Sequence, residues 1–229
     1  MNKGILYVVA TPIGNLGDIT YRAVEVLNSV AFILAEDTRE SIKLLNRYDI
    51  NTQLISYRDQ NHDRMINKIK EKLNIGLNLA LISDSGTPLI SDPGFKLVRE
   101  LRRDGYKIES IPGPSALISA LSISGLPTDK FTFLGFLPKS EKRRLSILKL
   151  YLPLNTTIIY ESPKRILALL RQIHDVDNNA FIVLAKDLTK MREEIIQGSV
   201  SNVLDILVER GYEKDPHGEF VVIASSQRD

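Results

Sequence analysis

The stretch Ser83-Asp84-Ser85-Gly86-Thr87-Pro88-Leu89-Ile90-Ser91-Asp92-Pro93-Gly94 carries the most information about the fold. It follows an apolar run, Leu79 to Ile82, that reads as a buried strand, and it precedes an amphipathic helix. A long loop rich in Gly, Pro, Ser and Asp therefore sits at the carboxyl end of a strand, where open α/β sheets bind their ligands. Gly86 and Gly94 permit close approach of backbone to a ligand. Pro88 and Pro93 fix φ and stiffen the loop. Part of the stretch reads structurally: Asp92 is a good helix N-cap and Pro93 a good first helical residue. Asp84 has no such local explanation and, with Ser83, offers a polar group to a small molecule.

Working outward, apolar and β-branched runs predict strands at residues 4–10, 31–35, 53–57, 79–82 and 107–111. Helical spacing falls between them at residues 20–30, 38–47 (with Thr38 as cap), 61–73 and 93–104, the last closed by Gly105. Pro112-Gly113-Pro114-Ser115 breaks the pattern and opens an apolar helix to about residue 124. The alternation then resumes, with strands at 131–137, 156–160, 181–186 and 220–225 and helices at 141–150, 163–174 and 200–210. Strands alternating with helices of this length predict βαβ units and a mostly parallel sheet. The organisation expected is two α/β lobes, residues 1–113 and 114–229, with a ligand cleft between them.

Composition narrows the chemistry. The 229 residues are 43% hydrophobic and 25% charged, as in an ordinary globular protein. The absence of cysteine excludes disulfides and thiolate metal sites and agrees with a reducing, cytoplasmic setting. His62, His174 and His217 lie far apart and follow no metal-ligand spacing, so no His-based metal site is expected; a carboxylate site stays open, and no residue is assigned to a metal. The opening apolar run, residues 5–10, is too short for a signal peptide or a membrane span, and no membrane partner is expected. A net charge of +2 says nothing about partners; only its local distribution does.

Several further loops lie at predicted strand ends. Ala10-Thr11-Pro12-Ile13-Gly14-Asn15-Leu16-Gly17-Asp18 lacks both the dinucleotide fingerprint and the P-loop lysine, which disfavours NAD and ATP. In Ala35-Glu36-Asp37-Thr38-Arg39, Glu36 and Asp37 either hold a hydroxyl or act as a general base, or are first-turn charges favoured by the helix dipole. Ser115 can cap its helix while the same helix end offers free amides to a ligand. Glu161, at a strand end before the Ser162-Pro163 cap, has no structural explanation. Lys186 to Glu194 is a dense charged loop, and Lys139-Ser140-Glu141-Lys142-Arg143-Arg144 is basic enough to contact a phosphate backbone or to be a solvated helix face.

Taken in order, residues 10–20, 35–39, 83–94, 112–116, 135–138, 160–165, Leu188-Thr189-Lys190 with Glu193-Glu194, and Gly218-Glu219-Phe220 resemble one family. It is the tetrapyrrole-methylase-like (class III) methyltransferases, in the branch that 2′-O-methylates a cytidine of small-subunit ribosomal RNA. The resemblance spans nearly the whole chain. It implies a two-lobe α/β fold, S-adenosylmethionine as cofactor in the cleft, a homodimer, and ribosomal RNA or the small ribosomal subunit as partner. It also implies, with the strand-end argument, that Pro12, Asp84, Gly86, Thr87, Ser115 and Ala116 hold the cofactor.

A ribose hydroxyl is a poor nucleophile, so a base or an oriented acceptor is expected. Asp37, Glu161, Lys186 and Lys190 are the candidates, and the sequence does not rank them. Lys139, Lys142, Arg143 and Arg144 are the candidate RNA contacts. Two departures from the family stand out. Its frequent basic helical tail does not follow the last strand, so RNA affinity is expected to be reduced or met by other surfaces. Tyr57-Arg58-Asp59-Gln60-Asn61 also replaces a His-rich run. Two rival readings share the fold: a methylase of a small tetrapyrrole precursor, and a non-catalytic RNA-binding protein.

Overall fold

A computed structural model of the protein describes residues 3–226. The chain divides into two compact units, Met1–Ser115 and Ala116–Asp229.

The first unit is a five-stranded parallel sheet, β1 (Ile5–Val9), β2 (Phe32–Ala35), β3 (Gln53–Ser56), β4 (Leu79–Ile82) and β5 (Lys107–Ile111), in the order β3-β2-β4-β1-β5. Its helices are α1 (Tyr21–Ser29), α2 (Thr38–Arg47), α3 (His62–Asn74) and α4 (Phe95–Arg103). Alternation along each strand separates two cores. Val9, Ile33, Ala80 and Ile82 face Ala23, Leu27, Leu44 and Leu45 of α1 and α2. Leu6, Leu34, Leu79 and Leu81 face Ile66, Ile69, Leu97 and Leu101 of α3 and α4. Both faces are thus covered, which is why these strands read as continuous apolar runs. The connections leaving the adjacent strands β1 and β4 run in opposite directions on opposite faces. The reversal of strand order therefore falls between these two central strands, at the place where such sheets hold ligands.

The second unit departs from the parallel sheet expected for it. Its strands are β6 (Phe131–Phe136), β7 (Thr156–Glu161), β8 (Phe181–Lys186), β9 (Glu194–Ser199) and β10 (Phe220–Ser225), in the order β6-β7-β10-β8-β9. Only β6 and β7 are parallel; β10 runs antiparallel to both its neighbours, and β9 to β8. Strand β9 was hidden in the sequence because an edge strand with two apolar residues, Ile195 and Ile196, among charges and Gly198 gives almost no pattern. Helices α6 (Glu141–Tyr151), α7 (Ile166–Val176) and α8 (Val200–Glu209) bury Leu148, Leu169, Leu170, Ile173, Val203 and Leu207 against one face of the sheet. The short α5 (Ala116–Ser122) packs against β10. Among the described residues no helix is long and apolar enough to cross a membrane.

Candidate active site

In the first unit the strand-end loops are tied into one surface. Thr11, after β1, and Gly86, after β4, exchange both backbone hydrogen bonds, at 2.9 and 3.0 Å. The Thr87 hydroxyl donates to the carbonyl of Pro114, after β5, at 3.0 Å. The Asp84 carboxylate accepts the N–H of Asp37, after β2, at 2.9 Å. Pro12, Asp84, Gly86, Thr87 and Ser115 are thereby brought to one end of one sheet, and Ala116 opens α5 in the next unit.

The loop backbone is unusual. Gly86 has φ 75°, and a Cβ there would lie 3.2 Å from Ile13 Cγ2. Gly94 has φ 123°, and a Cβ would lie 2.8 Å from Leu81 Cδ2. Its constraint is therefore packing beneath the loop as well as backbone angle. Leu89 (φ 72°) and Ser91 (φ 68°) hold left-handed backbone without being glycine. Such residues cost roughly 1 kcal/mol or more each, and they persist where a loop is held for use.

Three local expectations shift. Helix α4 begins at Phe95 with Gly94 as its N-cap residue, so neither Asp92 nor Pro93 starts the helix. Asp92 instead turns inward, hydrogen-bonded to Ser83, and burial raises its carboxyl to about 6, with the Asp84 charge adding to the rise. Asp37 rather than Thr38 caps α2: its Oδ1 accepts the Arg39 N–H at 2.9 Å. The Arg39 guanidinium donates to both Asp37 oxygens, at 3.0 and 2.6 Å, and Arg58 lies 3.8 Å away. These bonds hold the Asp37 carboxyl well below the usual carboxylate range. A carboxylate so occupied is a poor proton acceptor. Asp84, which had no explanation in the sequence, has one here as the brace between β4 and β2.

In the second unit, the cross-strand register sets Glu161 and Lys186 on either side of Phe220 at one sheet end. Both are buried, at 2% and 4% exposure. Glu161 Oε1 accepts the Ser162 N–H at 2.8 Å, and Oε2 lies 3.0 Å from Arg165 Nη2. Arg165 Nη2 also donates to the Leu137 carbonyl at 2.7 Å, fixing the start of the basic segment. Lys186 Nζ pairs with Asp187 Oδ2 and Lys190 Nζ with Glu219 Oε1, each at 2.7 Å. The charged stretch after Lys186 is a hairpin: Lys186, the last residue of β8, pairs with Glu194, the first of β9.

Of the basic segment, Lys139, Lys142 and Arg143 are exposed. Arg144 is not: at 6% exposure it turns into the unit and donates through Nε to Gln172 Oε1 of α7. The expectation that it contacts RNA is corrected accordingly. Successive residues of a helix point about 100° apart, so Arg143 faces solvent while the adjacent Arg144 faces the core, and four basic letters within six residues hid that difference.

The chain matches the family model for tetrapyrrole (corrin/porphyrin) methylases over residues 5–204. It is 41% identical to the ribosomal RNA small subunit methyltransferase I of Thermotoga maritima, covering 98% of this chain and 99% of that protein. The protein of the same name from Escherichia coli O157:H7 is 44% identical, with 99% and 79% covered. Among solved structures, a cobalamin-biosynthetic enzyme, cobalt precorrin-4 methyltransferase, shares the fold with a TM-score of 0.69 at 16% identity, covering 96% of this chain and 94% of that one.

Proposed function

This chain belongs to the tetrapyrrole (corrin/porphyrin) methylase family, and on that premise we propose that it methylates the ribose 2′-hydroxyl of a cytidine in small-subunit ribosomal RNA. The observation that carries this reading is identity of 41% and 44%, over almost the whole chain, to proteins named ribosomal RNA small subunit methyltransferase I. A tetrapyrrole acceptor is supported by the description of the family as a whole and by structures of much lower identity, which share the fold, and not by the proteins of 41% and 44% identity.

S-adenosylmethionine supplies the methyl group. The strand-end surface of the first unit suits it chemically. Asp84 presents negative charge to a cofactor carrying a sulfonium and an ammonium. Gly86 lets backbone approach it, and the exchange between Thr11 and Gly86 holds the loop in place. In this reading Pro12, Asp84, Gly86, Thr87, Ser115 and Ala116 form the cofactor site, and Lys139, Lys142 and Arg143 take phosphates of the RNA. Positioning supplies much of the rate for such an in-line transfer. The protein works in the cytoplasm as a homodimer. The lobes proposed as functional halves are residues 1–113 and 114–229.

The test is mass mapping of small-subunit ribosomal RNA from cells lacking the gene, with the purified protein added back. One ribose methyl on one cytidine should disappear and return. A full methylation pattern in the deletion strain would remove this reading.

A further inference from the structure

We propose that Glu36 is the proton acceptor of the methyl transfer, its carboxylate taking the 2′-hydroxyl proton as the methyl is transferred. This rests on the ribose-methylation reading above.

The four ionisable groups singled out from sequence are all engaged. Asp37 caps α2 and chelates Arg39. Glu161 is buried against Ser162 and Arg165, Lys186 is paired with Asp187, and Lys190 with Glu219. Glu36 differs. It immediately follows β2 at the ligand-bearing end of the parallel sheet, half-buried, and its carboxylate has no hydrogen-bond or ion-pair partner among the described residues. Its backbone is nevertheless held, because the Glu36 carbonyl accepts from Arg58 Nε at 3.0 Å. Asp84, on the adjacent strand end, braces the next residue through the Asp37 N–H. A fixed main chain carrying a free carboxylate beside the proposed cofactor loop is what an acceptor requires.

The surroundings tune that carboxylate in the useful direction. Burial raises it, and the charges of Asp84, Asp92 and Asp37 raise it further, while Arg58 opposes them. A carboxylate lifted toward neutrality is a better base than an ordinary one. In the step, the 2′-oxygen bonds to the methyl carbon as the carbon–sulfur bond breaks. That electron pair returns to sulfur, turning the sulfonium into a thioether, and the hydroxyl proton passes to the Glu36 carboxylate. No oxidant or metal enters the balance.

The experiment compares the parent with Glu36→Gln and Asp92→Asn. It uses tritiated S-adenosylmethionine and small-subunit RNA from cells lacking the modification, free and in subunits. Carbon-13 titration of the Glu36 carboxyl is followed in the RNA-free protein. Glu36→Gln should lower kcat by about a hundredfold or more, with the cofactor Kd changed less than about threefold. Asp92→Asn removes a neighbouring charge. It should move both the Glu36 titration and the acid limb of the kcat profile to lower pH, a shift that a merely structural carboxylate would not give. If Glu36→Gln turns over within about threefold of the parent, the proposal is overturned. If that variant does not fold, an unmoved acid limb in Asp92→Asn overturns it instead. If the parent itself transfers no methyl to ribose, the reading of the function fails and this inference falls with it.

Discussion

The Asp84 carboxylate accepts the backbone N–H of Asp37 at 2.9 Å, tying the end of β4 to the first turn of α2. One side chain thus has two duties, as a brace between neighbouring strand ends and as negative charge in the proposed cofactor site. Asp84→Ala removes both. It should weaken S-adenosylmethionine binding by at least about tenfold, or about 1.4 kcal/mol, in isothermal titration. Asp84→Asn keeps an oxygen for the Asp37 N–H and loses only the charge, so its affinity should fall between the other two. Unchanged affinity in a folded Asp84→Ala protein would place the cofactor elsewhere.

Glu161 and Arg165 form an ion pair whose carboxylate side is fully enclosed. Removing one member strands the other, which costs more than the pair contributes. Arg165→Gln should therefore lose roughly 3 kcal/mol in urea unfolding. Glu161→Gln/Arg165→Gln should recover part of that loss, giving a coupling of about 1–3 kcal/mol in the double-mutant cycle. Strict additivity would mean that the pair does not act as a unit.

Asp92 gives the fold a pH dependence of definite sign. Its carboxyl is raised from 3.8 to about 6 by burial and by Asp84. An acid raised on folding stabilises the fold only while protonated. Its contribution is complete below the unfolded value and is lost as pH rises through the folded one. Asp92→Asn never charges. Its stability relative to the parent should grow across that window and level off above it, by about 1 kcal/mol after allowance for partial exposure to water. Denaturant midpoints of the two proteins measured over the range decide the matter. A constant difference would mean that Asp92 titrates normally.

The two halves of the chain were legible to different degrees, for a physical reason. A parallel sheet covered on both faces needs unbroken apolar strands such as Leu79–Ile82 and long helices between them, and both are plain in the sequence. An antiparallel hairpin such as β8–β9 asks only for a turn and a short edge, and Glu194–Ser199 left no such trace. Within the site, the loops were visible from their Gly, Pro and Asp content, but the state of each charge was not. Asp37 and Glu36 are adjacent and chemically alike. Only the fold shows that Arg39 occupies one and leaves the other free. Arg144 is the same lesson in a helix, since letters alone do not say which of four basic residues faces Gln172.

That distinction shapes the test of RNA binding. Lys139 lies just before α6, with Lys142 and Arg143 in its first turn, all three exposed. They lie close beyond the Leu137 carbonyl that Arg165 holds, so the loop presenting them is fixed. Contacts from such residues to phosphate position the RNA without reading its bases. Replacing the three by Gln should weaken RNA binding with little dependence on sequence. The log–log salt slope should flatten by roughly one unit per lost contact. Cofactor affinity and the unfolding midpoint should hold. Arg144→Gln, by contrast, leaves buried Gln172 without its donor and should cost about 1–3 kcal/mol of stability. Its salt slope should match the parent's. A triple variant that binds and methylates RNA like the parent across the salt series would reduce the patch to a solvated helix face. The acceptor would then dock through other residues, with the hairpin that joins β8 to β9 and carries Lys190 and Arg192 the next to test.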